Sequence, residues 1–238
     1  NVDIDRLGER WSGNIFAIRQ VASGNDDRTA IGGELRYFDT ERNVYSLIDY
    51  DTTFRATNVG MVQGNWQFPT GTAITALWDY RRTPTLQLTN ALIAEPTASF
   101  NAMIDALGLS GTRNLAKDLT PISRVVLVGV TQQLSPRWQL GFDYRISSLS
   151  GTPATPTLPA VAATGNIYTY TLQAIANGLT PWQDILVLNT SVLNGRQSDA
   201  VQAGLDFRFT PWQAILIEPM LKWYRQTDAQ GTRLTRTT

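Results

Sequence analysis

Hydrophobic and polar residues alternate along the chain, most clearly between Trp138 and Ser148. Every second residue from Trp138 to Ile146 is aromatic or aliphatic, and the residues between them are Gln139, Gly141, Asp143 and Arg145. A period of two residues is typical of a β-strand with one apolar and one polar face. The pattern fits a soluble sandwich, whose apolar face is buried in a core. It equally fits a transmembrane β-barrel, whose apolar face contacts lipid.

The same alternation, punctuated by turn residues, predicts about eleven to twelve strands; residues 1–10 are ambiguous, and residues 233–238 look like the middle of a strand. The other strands have the approximate ranges 11–22, 29–38, 44–54, 58–68, 72–82, 122–134, 138–148, 167–179, 184–193, 201–209 and 213–225. Two long segments interrupt this series. The insertion 84–121 has apolar residues at helical spacing in 99–107 and 112–119 and is predicted to be partly helical. The segment 151–165 is rich in Pro, Thr and Ala and is expected to be an irregular external loop.

The connections between the predicted strands alternate in length. The short ones are at 39–43, 69–71, 135–137, 180–183 and 210–213, and the longer ones are at 22–28, 84–121, 151–165 and 194–199; only 55–57 departs from the alternation. In an up-and-down meander every second connection lies at the same end, and outer-membrane barrels have short periplasmic turns and longer external loops. The sequence therefore predicts an all-β fold, specifically an up-and-down antiparallel transmembrane β-barrel.

Three of the short turns contain a proline followed closely by a tryptophan. They are Ser135-Pro-Arg-Trp138, Thr180-Pro-Trp182 and Thr210-Pro-Trp212. Proline suits a turn because it has no N–H to offer a strand ladder. Tryptophan suits a membrane–water interface, where its ring is half buried and its N–H stays hydrated. Trp138, Trp182 and Trp212 are predicted interface aromatics; the alternative is a generic proline turn beside a buried tryptophan.

Charged residues collect on the polar side of the predicted strands, and an acid-x-Arg pattern occurs four times. The predicted lumen-lining residues are Glu34, Arg36, Asp49, Asp51, Asp79, Arg81, Asp143, Arg145, Asp206, Arg208, Glu218 and Lys222. One interpretation is an internal salt-bridge network that stiffens the wall. The other is a mixed-charge lining that contacts a hydrated polymer or selects ions.

Composition narrows the chemistry that the chain can perform. Its 20 basic and 20 acidic residues cancel, so nucleic acid is not an expected partner. Without cysteine or histidine the chain has no disulfides, no thiolate or imidazole metal ligands and no Ser-His-Asp triad. No acidic loop has the spacing of an EF-hand. We therefore expect no enzyme, no cofactor and no metal site; an outer-membrane phospholipase activity is disfavoured by the lack of histidine.

The insertion 84–121 has two possible fates in a barrel. It could fold into the lumen as a plug or constriction, or it could stand outside as a cap. Its apolar stripe of Phe100, Met103, Ile104 and Leu107 must pack on something, and the barrel rim is the simplest partner.

Five stretches of the chain resemble a group of large proteobacterial proteins in which tetratricopeptide repeats precede a C-terminal outer-membrane barrel. They are Arg10–Asn14, Gly32–Phe38, Leu77–Ala91, Ser135–Gly141 and Trp223–Gln226. In architecture this group is similar to the exopolysaccharide-export porins, which have a barrel of about sixteen strands. The resemblance implies that residues 1–238 form one incomplete barrel domain, with a repeat domain before it and further strands after it.

The resemblance also implies a location in the bacterial outer membrane. The implied partners are outer-membrane lipid, a periplasmic repeat domain of the same precursor, and a secreted polymer or the subunits of an assembly. The leading hypothesis is a channel or secretion porin that exports a polysaccharide or another polymer. The alternative is a barrel plugged by its own loops that anchors a periplasmic or cell-surface assembly.

Overall fold

A computed structural model describes the backbone of residues 2–4 and the whole of residues 9–95, 98–212 and 215–238. In these residues the chain is predominantly antiparallel β-structure, and fourteen strands join one sheet. The strands are β1 Val2–Ile4, β2 Trp11–Ala22, β3 Asn25–Phe38, β4 Arg42–Asp51, β5 Ala56–Gln67, β6 Thr72–Arg82, β7 Ile122–Gln133, β8 Trp138–Leu149, β9 Ile167–Asn177, β10 Ile185–Asn194, β11 Ser198–Trp212, β12 Ile215–Ile217, β13 Met220–Asp228 and β14 Arg233–Thr237.

Strand order follows the chain. Each strand from β1 to β11 lies beside the next one, the path continues through β13 to β14, and β12 pairs with β11. The predicted all-β, up-and-down topology is confirmed. The chain divides into two compact units. Unit 1 comprises Asn1–Gly64, Leu77–Val125 and Ser148–Gly165, and unit 2 comprises Asn65–Ala76, Val126–Ser147 and Asn166–Thr238.

The predicted number of strands is too low. Strand β1 lies in the first ten residues, whose pattern is ambiguous, whereas β14 lies where the sequence predicts the middle of a strand. The predicted last strand, 213–225, is interrupted. Strand β12 ends at Ile217, and β13 begins only after Pro219, which has no N–H to donate to the strand ladder. The first two residues of the predicted strand, 213 and 214, lie outside the described residues.

The predicted alternation of connection lengths is wrong at three places, one of which is the predicted short turn between β9 and β10, which spans residues 178–184. Strands β2 and β3 are joined by Ser23 and Gly24 alone, with φ of 48° and 80°. Two positive φ values in succession are typical of a tight type I′ hairpin. Strands β10 and β11 are likewise joined by only residues 195–197. The two longest predicted connections, 84–121 and 151–165, are confirmed.

The insertion between β6 and β7 contains a 3-10 helix, Leu88–Ala94, and a helix α1, Phe100–Asp118. The Ser99 hydroxyl accepts the Ala102 N–H at 3.1 Å and caps α1. Gly108 interrupts α1 with φ of 68°, which separates the two helical runs that the sequence predicts. None of the helices in the described residues is long and apolar enough to cross a membrane.

The insertion packs on strand ends within unit 1. Its buried apolar residues join those of the β4–β5 turn in one cluster: Phe54, Ala56, Leu86, Leu88, Ala91, Phe100, Met103 and Ala116. Ile104 of the predicted stripe is only half-buried against this cluster, and Leu107 is exposed. The stripe therefore packs on the β4–β5 turn and the start of β5.

Candidate functional site: the two faces of the sheet

In unit 2 one face of the sheet is apolar and exposed. Leu140 of β8 lies in register with Ala174, Leu188, Leu205 and Leu221 across β9, β10, β11 and β13. Residues directly opposite one another in antiparallel strands project from the same face. The four leucines are 38%, 39%, 39% and 54% exposed in chain order. A continuous aliphatic row therefore faces outward, where a soluble sheet would carry polar groups.

The other face of the same strands is polar. One residue further along, Gly141 lies in register with Gln173, Asn189, Gly204 and Lys222. A shift of one residue changes the face from which a side chain projects. The Asn189 side chain covers Gly204, since its Oδ1 lies 2.7 Å from the place of a Cβ atom at that glycine. Amide and charged groups thus lie along this row, while the next row on the same face also contains Ile175, Val187 and Met220.

Unit 1 has the same arrangement. Ile15 of β2 is in register with Gly33 of β3 and Ile48 of β4, and the two isoleucines are 61% and 57% exposed. The next pair on that face, Ile31 and Tyr50, is also exposed. In each unit taken by itself, these exposed apolar residues lie on the face that the sequence predicts to be apolar.

A buried ion cluster occupies the polar face of unit 1. The Arg28 guanidinium contacts the carboxylate of Asp49, and its Nε lies 3.9 Å from Asp51 Oδ2. All three side chains are buried. The Asp51 Oδ1 also accepts the Phe54 N–H at 2.9 Å and closes the β4–β5 turn. The sequence pattern predicted Asp49 and Asp51 as polar-face residues but missed Arg28. Arg28 lies an even number of residues from Glu34 and Arg36 in β3 and is therefore on the same face.

Two of the four acid-x-Arg patterns form ion pairs within their own strand. Arg36 Nη2 lies 2.8 Å from Glu34 Oε2, and the Arg36 guanidinium also lies over the Tyr45 ring at 5.2 Å. Arg81 Nε lies 2.8 Å from Asp79 Oδ2. These pairs fit the interpretation of a salt-bridge network.

The other two patterns do not pair internally. Among the described residues, neither Asp143 with Arg145 nor Asp206 with Arg208 comes within 4.0 Å. Arg208 instead pairs with Glu218. Glu218 lies between β12 and β13, so the prediction that Glu218 and Lys222 share one face of a continuous strand is wrong.

The three predicted interface tryptophans are exposed. Trp138, Trp182 and Trp212 are 38%, 47% and 65% exposed, so the alternative of a buried tryptophan beside each turn is wrong. All three belong to unit 2. They lie at the start of β8, between β9 and β10, and at the end of β11, which antiparallel order brings to one end of the sheet. The Trp182 ring stacks on Phe209 with 5.6 Å between centroids.

The turn that carries Trp182 is held by Asp184. Its carboxylate accepts the N–H groups of Leu179 at 3.1 Å and Thr180 at 2.7 Å, and the Thr180 hydroxyl at 2.9 Å. Burial favours a higher pKa for Asp184, but these hydrogen bonds outweigh it and hold the pKa below its usual value. The turn is therefore fixed by a charged acceptor at neutral pH.

In the part of the chain that the structure describes, no group of three or more acidic side chains is arranged to hold a metal ion. Comparison of the chain with protein-family models gave no match. Comparison with curated proteins gave no match either. The resemblance to repeat-containing barrel proteins stays a prediction.

Proposed function

We propose that this chain is part of a transmembrane β-barrel of a bacterial outer membrane, and that the barrel acts as a channel or secretion porin. The observation that carries the proposal is the row of Leu140, Leu188, Leu205 and Leu221 on an exposed face whose reverse is polar. Large contiguous apolar patches on a protein surface mark contact with a partner or a membrane. Lipid outside and water inside account for both faces at once.

The exposed aromatic residues support the same proposal. In unit 2, Trp138, Trp182 and Trp212 lie at one end of the sheet, as in the aromatic girdle of an outer-membrane barrel. In unit 1, Trp11 at the start of β2 and Tyr37 near the end of β3 pack together with 4.8 Å between ring centroids. Aromatic rings at strand ends mark the depth at which a barrel meets the headgroups.

The polar face of unit 2 favours an open channel. Gln173, Gln202 and Lys222 on this face are exposed. Polar side chains that do not fill the space between them are expected along a hydrated path. From the resemblance, we propose that the solute is a polysaccharide or another polymer delivered by a periplasmic repeat domain.

One observation favours the alternative of a plugged anchor. In unit 1 the insertion is hydrogen-bonded to strand ends: Thr89 N–H donates to Asp27 Oδ1 at 2.7 Å, and Leu86 N–H to Asn58 Oδ1 at 3.1 Å. Asp27 and Asn58 are both buried. A segment held in this way could close one end of a barrel, which would then serve as a membrane anchor for a periplasmic or surface assembly.

Planar-bilayer conductance of the full-length protein distinguishes the two functions. We expect discrete conductance steps, and a larger step after removal of residues 90–118 if the insertion narrows the path. A deletion of 153–160 removes loop residues that contact the insertion, because the Thr157 hydroxyl donates to the Ala94 carbonyl oxygen, and should enlarge the step less than the removal of 90–118. A closed barrel in all three forms would contradict the channel and favour the anchor. An open channel unaffected by either deletion would place the insertion outside the conducting path.

A further inference from the structure

A cleft opens on the polar face of β11, β13 and β14. Gln202 lies in register with Tyr224, and Tyr224 with Arg236. In the neighbouring row, Lys222 exchanges two backbone hydrogen bonds with Thr238, at 2.7 and 2.9 Å. These five residues and Trp223 line a cavity of about 310 Å³. The cleft therefore brings an ammonium, a guanidinium, an amide and a phenol to one place.

The two cations of this cleft are not neutralised by the protein. Among the described residues, no carboxylate lies within 4.0 Å of Lys222 or Arg236. Glu218, the acidic residue nearest to Lys222 in the sequence, forms an ion pair with Arg208 instead. Elsewhere on the polar faces, the Arg28, Arg36 and Arg81 side chains all have acidic partners. The cleft therefore holds two cations that are left for a ligand; Arg145, on the same face, also has no acidic partner within 4.0 Å among the described residues but does not line this cleft.

The Tyr224 hydroxyl is already oriented, because it donates to Gln226 Oε1 at 2.7 Å. Its oxygen remains an acceptor for a ligand hydroxyl. The Gln202 side chain offers both a donor and an acceptor. A planar guanidinium and an ammonium bind carboxylate strongly through charge-assisted hydrogen bonds. The set of groups therefore suits a molecule that combines a carboxylate with hydroxyl groups.

We propose that this cleft binds the carboxylate of an acidic sugar unit in a chain-like solute. The inference rests on the proposed channel, since it names the solute class of the same polar face. The row of Gln173, Asn189 and Lys222 runs from the cleft across β13, β10 and β9. Further sugar units of the solute would meet amide groups along that row.

Calorimetric titration of the full-length protein in detergent tests the site. The probes are trigalacturonate, neutral maltotriose of the same length, and inorganic phosphate. We expect trigalacturonate to bind, and the combined change Lys222→Gln and Arg236→Gln to weaken that binding by about a hundredfold, about tenfold for each lost charged hydrogen bond. Maltotriose and phosphate should bind at least tenfold more weakly than trigalacturonate.

Arg225→Gln is the matched control. Arg225 lies on the same strand one residue from Tyr224, but its register with Val201 puts it on the apolar face, where its guanidinium lies over Trp223 at 5.8 Å. This change removes one positive charge at a residue that does not itself line the cleft, although Trp223 beside it does, and affinity should change less than twofold. Equal affinity in the double variant and the parent, or equal binding of maltotriose or phosphate, would overturn the proposal. Conductance is measured separately, so a conducting channel without uronate binding would reject this site alone.

Discussion

Replacing Phe142 with arginine is expected to lower the stability of the membrane-inserted protein by about 2–4 kcal/mol, the cost of a charged side chain on the lipid face near the bilayer midplane. Phe142 is 45% exposed in the middle of β8 and faces the same side as Leu140. In lipid the guanidinium loses its hydration, whereas in a soluble protein an exposed phenylalanine could be replaced at little cost. Urea unfolding in lipid vesicles and the yield of folded protein measure the effect.

Gln139→Arg and Gly141→Arg are the controls on the opposite face. A side chain at Gly141 has room, since a Cβ there would lie 3.7 Å from Thr131 Oγ1 and 3.9 Å from the Gln173 Cβ. Both controls should fold and insert almost as well as the parent, because the added charge meets a polar surface. Losses of equal size on the two faces would contradict the assignment of the faces.

Arg28→Ala is expected to destabilise the protein by about 3–5 kcal/mol, because it leaves buried carboxylates without a counter-charge. Asp49 and Asp51 are 8% and 0% exposed and contact no other cation among the described residues. Arg36→Ala is the control. The Arg36 side chain is exposed in its ion pair with Glu34, so the pair should contribute no more than about 1 kcal/mol to the free energy of unfolding. Both variants are compared by urea unfolding in the same vesicles.

A second variant separates charge from packing at this cluster. Asp49→Asn and Asp51→Asn, added to Arg28→Ala, remove the orphaned negative charges and should recover part of the lost stability. An Arg28→Ala loss no greater than that of Arg36→Ala would show that the cluster does not stabilise unit 1. No recovery in the combined variant would assign the loss to packing rather than to charge.

The sequence was sufficient to predict most of the strands and the two faces of β8. Alternation between Trp138 and Ile146 is a local property, so β8 and its two faces follow from the side chains alone. Apolar residues at helical spacing placed the helical runs on either side of Gly108. A residue without a Cβ atom accepts the φ of 68° at this position readily. The sequence also identified the exposed tryptophans beside proline turns.

Partners across strands could not be predicted, because they depend on register. A shift in pairing beside Gln20 and Val21 leaves Asp27 as an extra residue, so a simple count from the turn misplaces Arg28. The tight Ser23-Gly24 hairpin was mistaken for a longer loop, since its polar neighbours Asn25 to Asp27 read as turn residues. Arg208 similarly pairs with Glu218 beyond a strand break that the alternation does not reveal.

The sequence also did not predict which residues the insertion packs against. Its apolar residues at helical spacing indicated a buried stripe but not what would cover it. The contacts to Phe54 and Asn58 depend on where the β4–β5 turn brings those residues. Leu107 fits the helical pattern and is nevertheless exposed, since it lies just before the break at Gly108.

The central claim is that the exposed apolar face of the sheet contacts lipid. The 238 residues contain no cysteine, so single cysteines introduced along β8 give unique spin-label sites. With the protein in lipid vesicles, labels at Leu140→Cys, Phe142→Cys and Tyr144→Cys should respond to oxygen dissolved in the bilayer. Labels at Gln139→Cys, Asp143→Cys and Arg145→Cys should respond instead to a water-soluble nickel chelate. Alternation of this kind is the result that the account predicts; equal responses at all six positions, or the opposite alternation, would contradict it.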